Sequence, residues 1–425
     1  MAVATRPTTN AAIANPPKRG PSRVLPALVV VQGAAFLFLM GTRGSFGWWL
    51  VRELVVVGVT AGAFVLARGS GRVARGATAL VLGLAGTVAG TGIGLVYAAK
   101  SGPVPPTVAG LVALVTGLWL LGWGFALLTG ALRRWWKLLA VPGGLVVLAY
   151  VLMPLSLAVN ATNRPATPLG SLTPAERGLS SVDASFVTDD RVRLSGWYVP
   201  STNGAAIVLL AGAGSNRTAV LDHAVVLARH GYGVLLLDTR GHGGSEGMPM
   251  DFGWNGERDV AAAVGWLEGQ PDVRHGRIGA VGMSMGGEQV VAAIGSDPRI
   301  RAVVGEGVTG MQAADHGWLS HYGLQGAVQR SIDRVTYGAA GLLSGAARPM
   351  PLRDAVRAAA PRPVLIVAAG TVPDEGIAAR WLRAASPSNV CVWVVPGAGH
   401  TDGLATNPAQ WEARVTGFLD RALVG

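Results

Sequence analysis

A serine between glycines, Gly282-Met283-Ser284-Met285-Gly286, stands directly behind the short apolar run Ile278-Gly279-Ala280-Val281. Ahead of it lies a helix-forming stretch, Glu288-Gln289-Val290-Val291-Ala292-Ala293. This spacing reads as a sharp strand-to-helix turn that lifts one hydroxyl clear of a sheet. The flanking positions need glycine because sheet and helix occupy the space of a side chain. Backbone N–H groups at the start of such a helix face the place where an oxyanion develops. The chemistry implied is nucleophilic attack by Ser284 on an acyl carbon. A neutral hydroxyl is a poor nucleophile, so a base must stand beside it.

The elements around this turn fall into two unlike halves. The chain of 425 residues is 50% hydrophobic and 14% charged, too apolar for an ordinary soluble protein. Its net charge of +11 is unevenly placed: up to Asn160 there are 13 Lys and Arg against the single acid Glu53, and beyond it 22 Arg against 23 acids. The basic excess belongs to the apolar half, which argues against a nucleic-acid partner. The single cysteine, Cys391, rules out an intrachain disulfide. It lies in a strand-like run and is expected to be a small buried residue.

Five apolar stretches, at 25–40, 49–66, 77–99, 108–128 and 138–159, predict about five transmembrane helices behind a tail of residues 1–24. Arg and Lys cluster in the tail, in the second connection and in the fourth, which places the N-terminus in the cytoplasm. An odd number of spans then puts everything after residue 159 on the far side, as an extracytoplasmic domain of an integral membrane protein. Gly86, Gly90 and Gly94, and Gly58 and Gly62, offer small faces for close helix approach. Ionisable residues are confined to span ends, so the spans read as an anchor rather than a transporter. Residues 160–181, rich in Pro, Thr and Ser, read as an extended linker.

From residue 182 on, short apolar strands alternate with helical patterns. An opening hairpin (186–188 with 192–198) is followed by strands at 206–210, 234–237, 278–281, 302–304, 364–368 and 390–395. Helices are expected at 221–229, 256–267, 288–294, 377–385 and 408–423. The alternation predicts a mostly parallel sheet with helices on both faces, its ligands at the carboxyl ends of the strands.

Residues 182–425 resemble the α/β-hydrolase superfamily, most closely its dienelactone-hydrolase-like and serine-aminopeptidase-like branch. Besides the elbow, the likeness rests on Asp238-Thr239-Arg240-Gly241-His242-Gly243-Gly244-Ser245 after the fourth strand, Ala211-Gly212-Ala213-Gly214 after the third, and Pro396-Gly397-Ala398-Gly399-His400 after the last. The resemblance implies a catalytic triad of Ser284, His400 as base, and an acid after the seventh strand. That acid is Asp374, with Glu375 as alternative and Glu306 as a weaker third candidate. Oxyanion donors would be the backbone N–H groups of Met285 and Ala213. His242 reads as structural, while His316 and His321 either line a substrate pocket or sit at the surface. A cap is expected near 307–357.

Such a set calls for no cofactor and no metal. It implies a membrane-anchored serine hydrolase acting on an ester-type bond, with a small-molecule or lipid-like acyl substrate. A serine peptidase, an acyltransferase and a non-catalytic membrane binding protein remain the alternatives.

Overall fold

The computed structural model describes residues 23–40, 46–69, 71–130, 135 and 138–425. The basic tail before Arg23, and the charges Arg43, Arg133, Arg134 and Lys137, lie outside the described residues.

The N-terminal half is helical: α1 (Val24–Met40), α2 (Phe46–Gly69), α3 (Arg72–Ala89), α4 (Leu95–Ser101), α5 (Pro105–Thr129), α6 (Ala140–Val147) and α7 (Met153–Thr162). A π-turn at Gly90–Gly94 joins α3 to α4, and another at Leu148–Leu152 joins α6 to α7. Among the described residues four stretches are long and apolar enough to cross a membrane: Leu50–Gly69, Arg72–Ser101, Pro105–Thr129 and Pro142–Thr162; Val24–Leu39 is apolar but shorter.

The Gly86–Gly94 face packs as expected. A methyl on Gly90 would meet the Leu114 Cα at 2.6 Å, and one on Gly94 the Gly110 carbonyl carbon at 2.6 Å. Close backbone approach of this kind maximises van der Waals contact between helices. Gly58 and Gly62 do not follow suit: nothing lies within 4 Å of the space a methyl would fill.

The C-terminal half is built on eight strands: β1 (Val182–Val187), β2 (Arg193–Val199), β3 (Ala206–Leu210), β4 (Gly233–Asp238), β5 (Ile278–Met283), β6 (Ile300–Glu306), β7 (Val364–Ala369) and β8 (Val390–Val395). Their order is β1-β2-β4-β3-β5-β6-β7-β8, antiparallel at the β1–β2 and β2–β4 pairings and parallel from β4 to β8. This is an α/β-hydrolase sheet.

Interleaved with the strands are α8 (Leu221–Arg229), α9 (Gly256–Glu268), α10 (Met285–Ser296), α11 (Gly323–Ser344), α12 (Leu352–Ala359), α13 (Pro373–Arg383), α14 (Gly403–Thr406) and α15 (Pro408–Leu423). β3, β4 and β5 are buried along their whole length, as continuous apolar runs covered on both faces must be. One core joins α9, α10, α12 and α13 to the sheet through Val264, Val290, Val356 and Leu382. The other joins α8 and α15 through Leu227, Trp411 and Leu419.

Three expectations change. Cys391 is exposed, not buried: it lies near the start of β8, the edge strand of the sheet, although Trp393 and Val395 on the same face are covered. Residues 160–181 are no free spacer: Thr167 Oγ1 donates to the Gly214 carbonyl (3.0 Å), Gly243 N to the Thr167 carbonyl (2.9 Å), and Asn216 Nδ2 to the Pro168 carbonyl (2.9 Å). The inserted cap is shorter than 307–357. It comprises 3-10 turns over Ala313–Tyr322 and α11, whereas α12 belongs to the main core through Leu352 and Val356.

Candidate active site

Ser284 sits between β5 and α10 with φ 53° and ψ −121°, a strained backbone for a residue with a side chain. The strain is held by close packing. A methyl on Gly286 would meet the Ala211 carbonyl oxygen at 2.5 Å, and one on Gly287 the Gly282 carbonyl oxygen at 2.9 Å. Ser284 N donates to the Glu306 carbonyl (2.7 Å), pinning the turn to the neighbouring strand.

His400, on the loop after β8, places Nε2 2.9 Å from Ser284 Oγ. Its Nδ1 lies 2.7 Å from Glu375 Oε1. The other Glu375 oxygen accepts Ala369 N at 2.7 Å, so a carboxylate only 1% exposed has both oxygens engaged. The Glu375 hydrogen bond is the main influence on His400 and, against partial burial, raises its pKa above the ordinary histidine value. Gly307, at φ +72°, leaves room for the ring: a methyl there would press on His400 Cε1 at 2.8 Å.

The structure thus brings Ser284, His400 and Glu375, the alternative acid, together and leaves Asp374 apart. Asp374 does not reach His400. Its Oδ1 accepts the Tyr322 hydroxyl at 2.5 Å, tying the cap to the start of α13. Neighbouring helical residues point about 100° apart, so only one of the pair can face the sheet. Glu375, Ala378, Ala379 and Leu382 form the buried stripe of α13. Their i, i+3, i+4, i+7 spacing was the sequence signal that selects Glu375 over Asp374.

Glu306 is no partner of His400 either. Buried at the end of β6, it accepts Gly403 N (2.8 Å) and Trp411 Nε1 (2.9 Å), clamping the segment that follows His400. Burial pushes its pKa above the usual carboxylate value. Met285 opens α10, and Gly212 stands against Ser284: a methyl on it would lie 3.2 Å from Ser284 Cβ. Ala213 follows in the same turn.

The Asp238-to-Ser245 loop is a scaffold. Asp238 accepts Arg217 N (2.7 Å) and Gly244 N (2.8 Å), and Arg240 bridges Asp259 and Asp190. His242 is buried, with Nδ1 3.1 Å from the Arg240 carbonyl. In the cap, His316 is largely buried and holds Asp333 at 2.6 Å, while His321 is exposed. Glu288, buried in the first turn of α10, was missed by sequence reasoning; it accepts Gly310 N (2.7 Å) and Thr309 N (3.1 Å), fixing the chain that leads into the cap. Among the described residues no three His, Cys, Asp or Glu side chains converge as metal ligands.

The sequence matches the X-Pro dipeptidyl-peptidase (S15) family over residues 155–393. An uncharacterized protein of Mycobacterium tuberculosis (strain H37Rv) is 31% identical over 246 residues, 56% of this chain and 77% of that one. A polyketide transferase of Penicillium is 34% identical over 127 residues, 29% of this chain and 43% of its own. Among solved structures, an esterase of Pyrococcus furiosus is similar at 25% identity and TM-score 0.48, covering 61% of this chain and 99% of its own. A family match over more than half the chain, on this sheet, makes the protein a hydrolase that belongs to the X-Pro dipeptidyl-peptidase (S15) family.

Proposed function

We propose that the protein is a membrane-anchored serine hydrolase that cleaves an ester-type acyl bond through Ser284, His400 and Glu375. The observation that carries the reading is the unbroken chain from Ser284 Oγ to His400 Nε2 (2.9 Å) and from His400 Nδ1 to Glu375 (2.7 Å). His400 takes the hydroxyl proton as Oγ attacks the acyl carbon. Backbone N–H groups of Met285 and Ala213 receive the oxyanion. The imidazolium, stabilised by Glu375, returns the proton to the leaving group, and water releases the acyl group by the same path. No cofactor enters this sequence.

Peptide cleavage is the second reading, favoured by the family match; the acyl-enzyme step is common to both. The distribution of Arg and Lys across the connections supports a cytoplasmic N-terminus and a hydrolase domain outside.

A fluorophosphonate probe on membranes carrying the full chain tests the reading. Labelling is expected in the native protein and absent in Ser284→Ala, with His400→Ala strongly reduced. Labelling that survives Ser284→Ala overturns the assignment. Turnover of a series of acyl esters set beside X-Pro amides then separates esterase from peptidase.

A further inference from the structure

Helix α11 of the cap carries apolar residues on its exposed side as well as on its buried one. Leu324, Val328, Val335 and Leu342 recur at i, i+4, i+11 and i+18, one stripe down the helix, and are 81%, 41%, 37% and 90% exposed. Ser331 and Gly338 fill the same stripe, so no charge interrupts it. The opposite face, with Asp333, Thr336, Tyr337 and Ala340, is buried against the protein. Arg334, exposed, flanks the stripe as a cation reaching from lipid to headgroup would.

What covers the stripe is indicated by its neighbour. Ser331 Oγ donates to the hydroxyl of Tyr150, within the last membrane stretch (3.0 Å). Ala158, further along that stretch, shares an apolar cluster with Tyr337 and Ala340. From Tyr150 to Ala158 is about 12 Å of helix, and from Ser331 to Ala340 about 14 Å. α11 therefore packs against this stretch at two points along its length. The lipid-facing side of the span, with Leu148, Met153 and Leu157 exposed, continues onto the stripe of α11. A second membrane stretch ends at the site itself: a methyl on Gly214 would come within 2.8 Å of Lys100 Nζ, and Gly212, two residues back, lies against Ser284.

We propose that α11 lies beside the last membrane stretch in the outer part of the bilayer, with this stripe among acyl chains, and that the enzyme takes its substrate, a long-chain acyl amphiphile, directly from the membrane. The substrate clause rests on the serine-hydrolase reading; the bilayer contact does not.

The test uses the full chain in a Cys391→Ser background, with Leu324→Cys or Leu342→Cys carrying a bimane and His275→Cys, on the exposed turn before β5, as control. In phosphatidylcholine vesicles brominated in the acyl chains, the labels at 324 and 342 are expected to lose most of their fluorescence while that at 275 keeps it. Equal fluorescence at all three positions overturns the bilayer contact. So does a disulfide between copies through the unlabelled Leu342→Cys, which would make a second chain the cover. For the substrate clause, Leu324→Glu with Leu342→Glu should lower the ratio of vesicle-borne long-chain to soluble short-chain ester turnover by about 10-fold or more; an unchanged ratio overturns it. Fluorophosphonate labelling of the same samples keeps the two readings apart. Quenching without labelling removes the hydrolase, and labelling without quenching removes the bilayer contact.

Discussion

Adjacent carboxylates, Asp374 and Glu375, face different partners, and their substitution separates position from charge. Glu375→Gln is expected to lower kcat by about 10³–10⁴, because an amide no longer fixes the tautomer or stabilises the imidazolium. Asp374→Asn removes only the charge, keeps an oxygen able to accept the Tyr322 hydroxyl, and should leave the acyl-enzyme burst in place. The pH dependence carries the same sign. Glu375 raises the His400 pKa, so the base stays protonated to a higher pH and the acid limb of kcat/KM lies above the ordinary histidine value. In Glu375→Gln that limb should move to lower pH. A pH–rate profile on residual activity decides it, and an unmoved limb would remove Glu375 from His400.

At the scale of elements, the loops between strands hold the site through packing against backbone. Gly307→Ala introduces a methyl that meets His400 Cε1 at 2.8 Å, at a φ of +72° that disfavours any side chain. Displacing the imidazole from Ser284 Oγ is expected to lower kcat by about 100-fold while the sheet stays folded. Circular dichroism and steady-state kinetics separate the two effects. Glu306→Gln tests the clamp on the segment behind His400. An amide offers one oxygen where the carboxylate has two, so either Gly403 N or Trp411 Nε1 loses its acceptor. The expected cost is about 1–3 kcal/mol of stability in chemical denaturation.

For the whole molecule, the two halves share an apolar cluster that holds Ala158, of the last long apolar helical stretch, with Trp254, Tyr337 and Ala340. Removing residues 1–162 uncovers this cluster. The truncated hydrolase domain is expected to self-associate in size-exclusion chromatography, with α11 cut early by protease. A monodisperse, protease-resistant fragment would show that the contact is dispensable. Topology is tested at the same scale: a C-terminal reporter active only in the cytoplasm should stay dark.

The sequence by itself determined the elements. The apolar runs behind β3, β4 and β5 had to be strands covered on both faces. The runs at 77–99 and 108–128 fall within helices long enough to span, and Gly282-Met283-Ser284-Met285-Gly286 announced a turn whose local sterics leave no alternative to glycine. These are short-range facts, written in neighbouring residues. Tertiary structure decided what faces what. The spacing along α13 marked Glu375 as the inward-facing acid of its pair, but that this stripe meets His400, and that Cys391 lies exposed on the edge strand β8, came only with packing. Residues 160–181 lie on the loops beside Ser284, and α11 lies along the last membrane stretch. Each depends on which surfaces remain uncovered once distant segments have packed, and no local pattern of residue types encodes that.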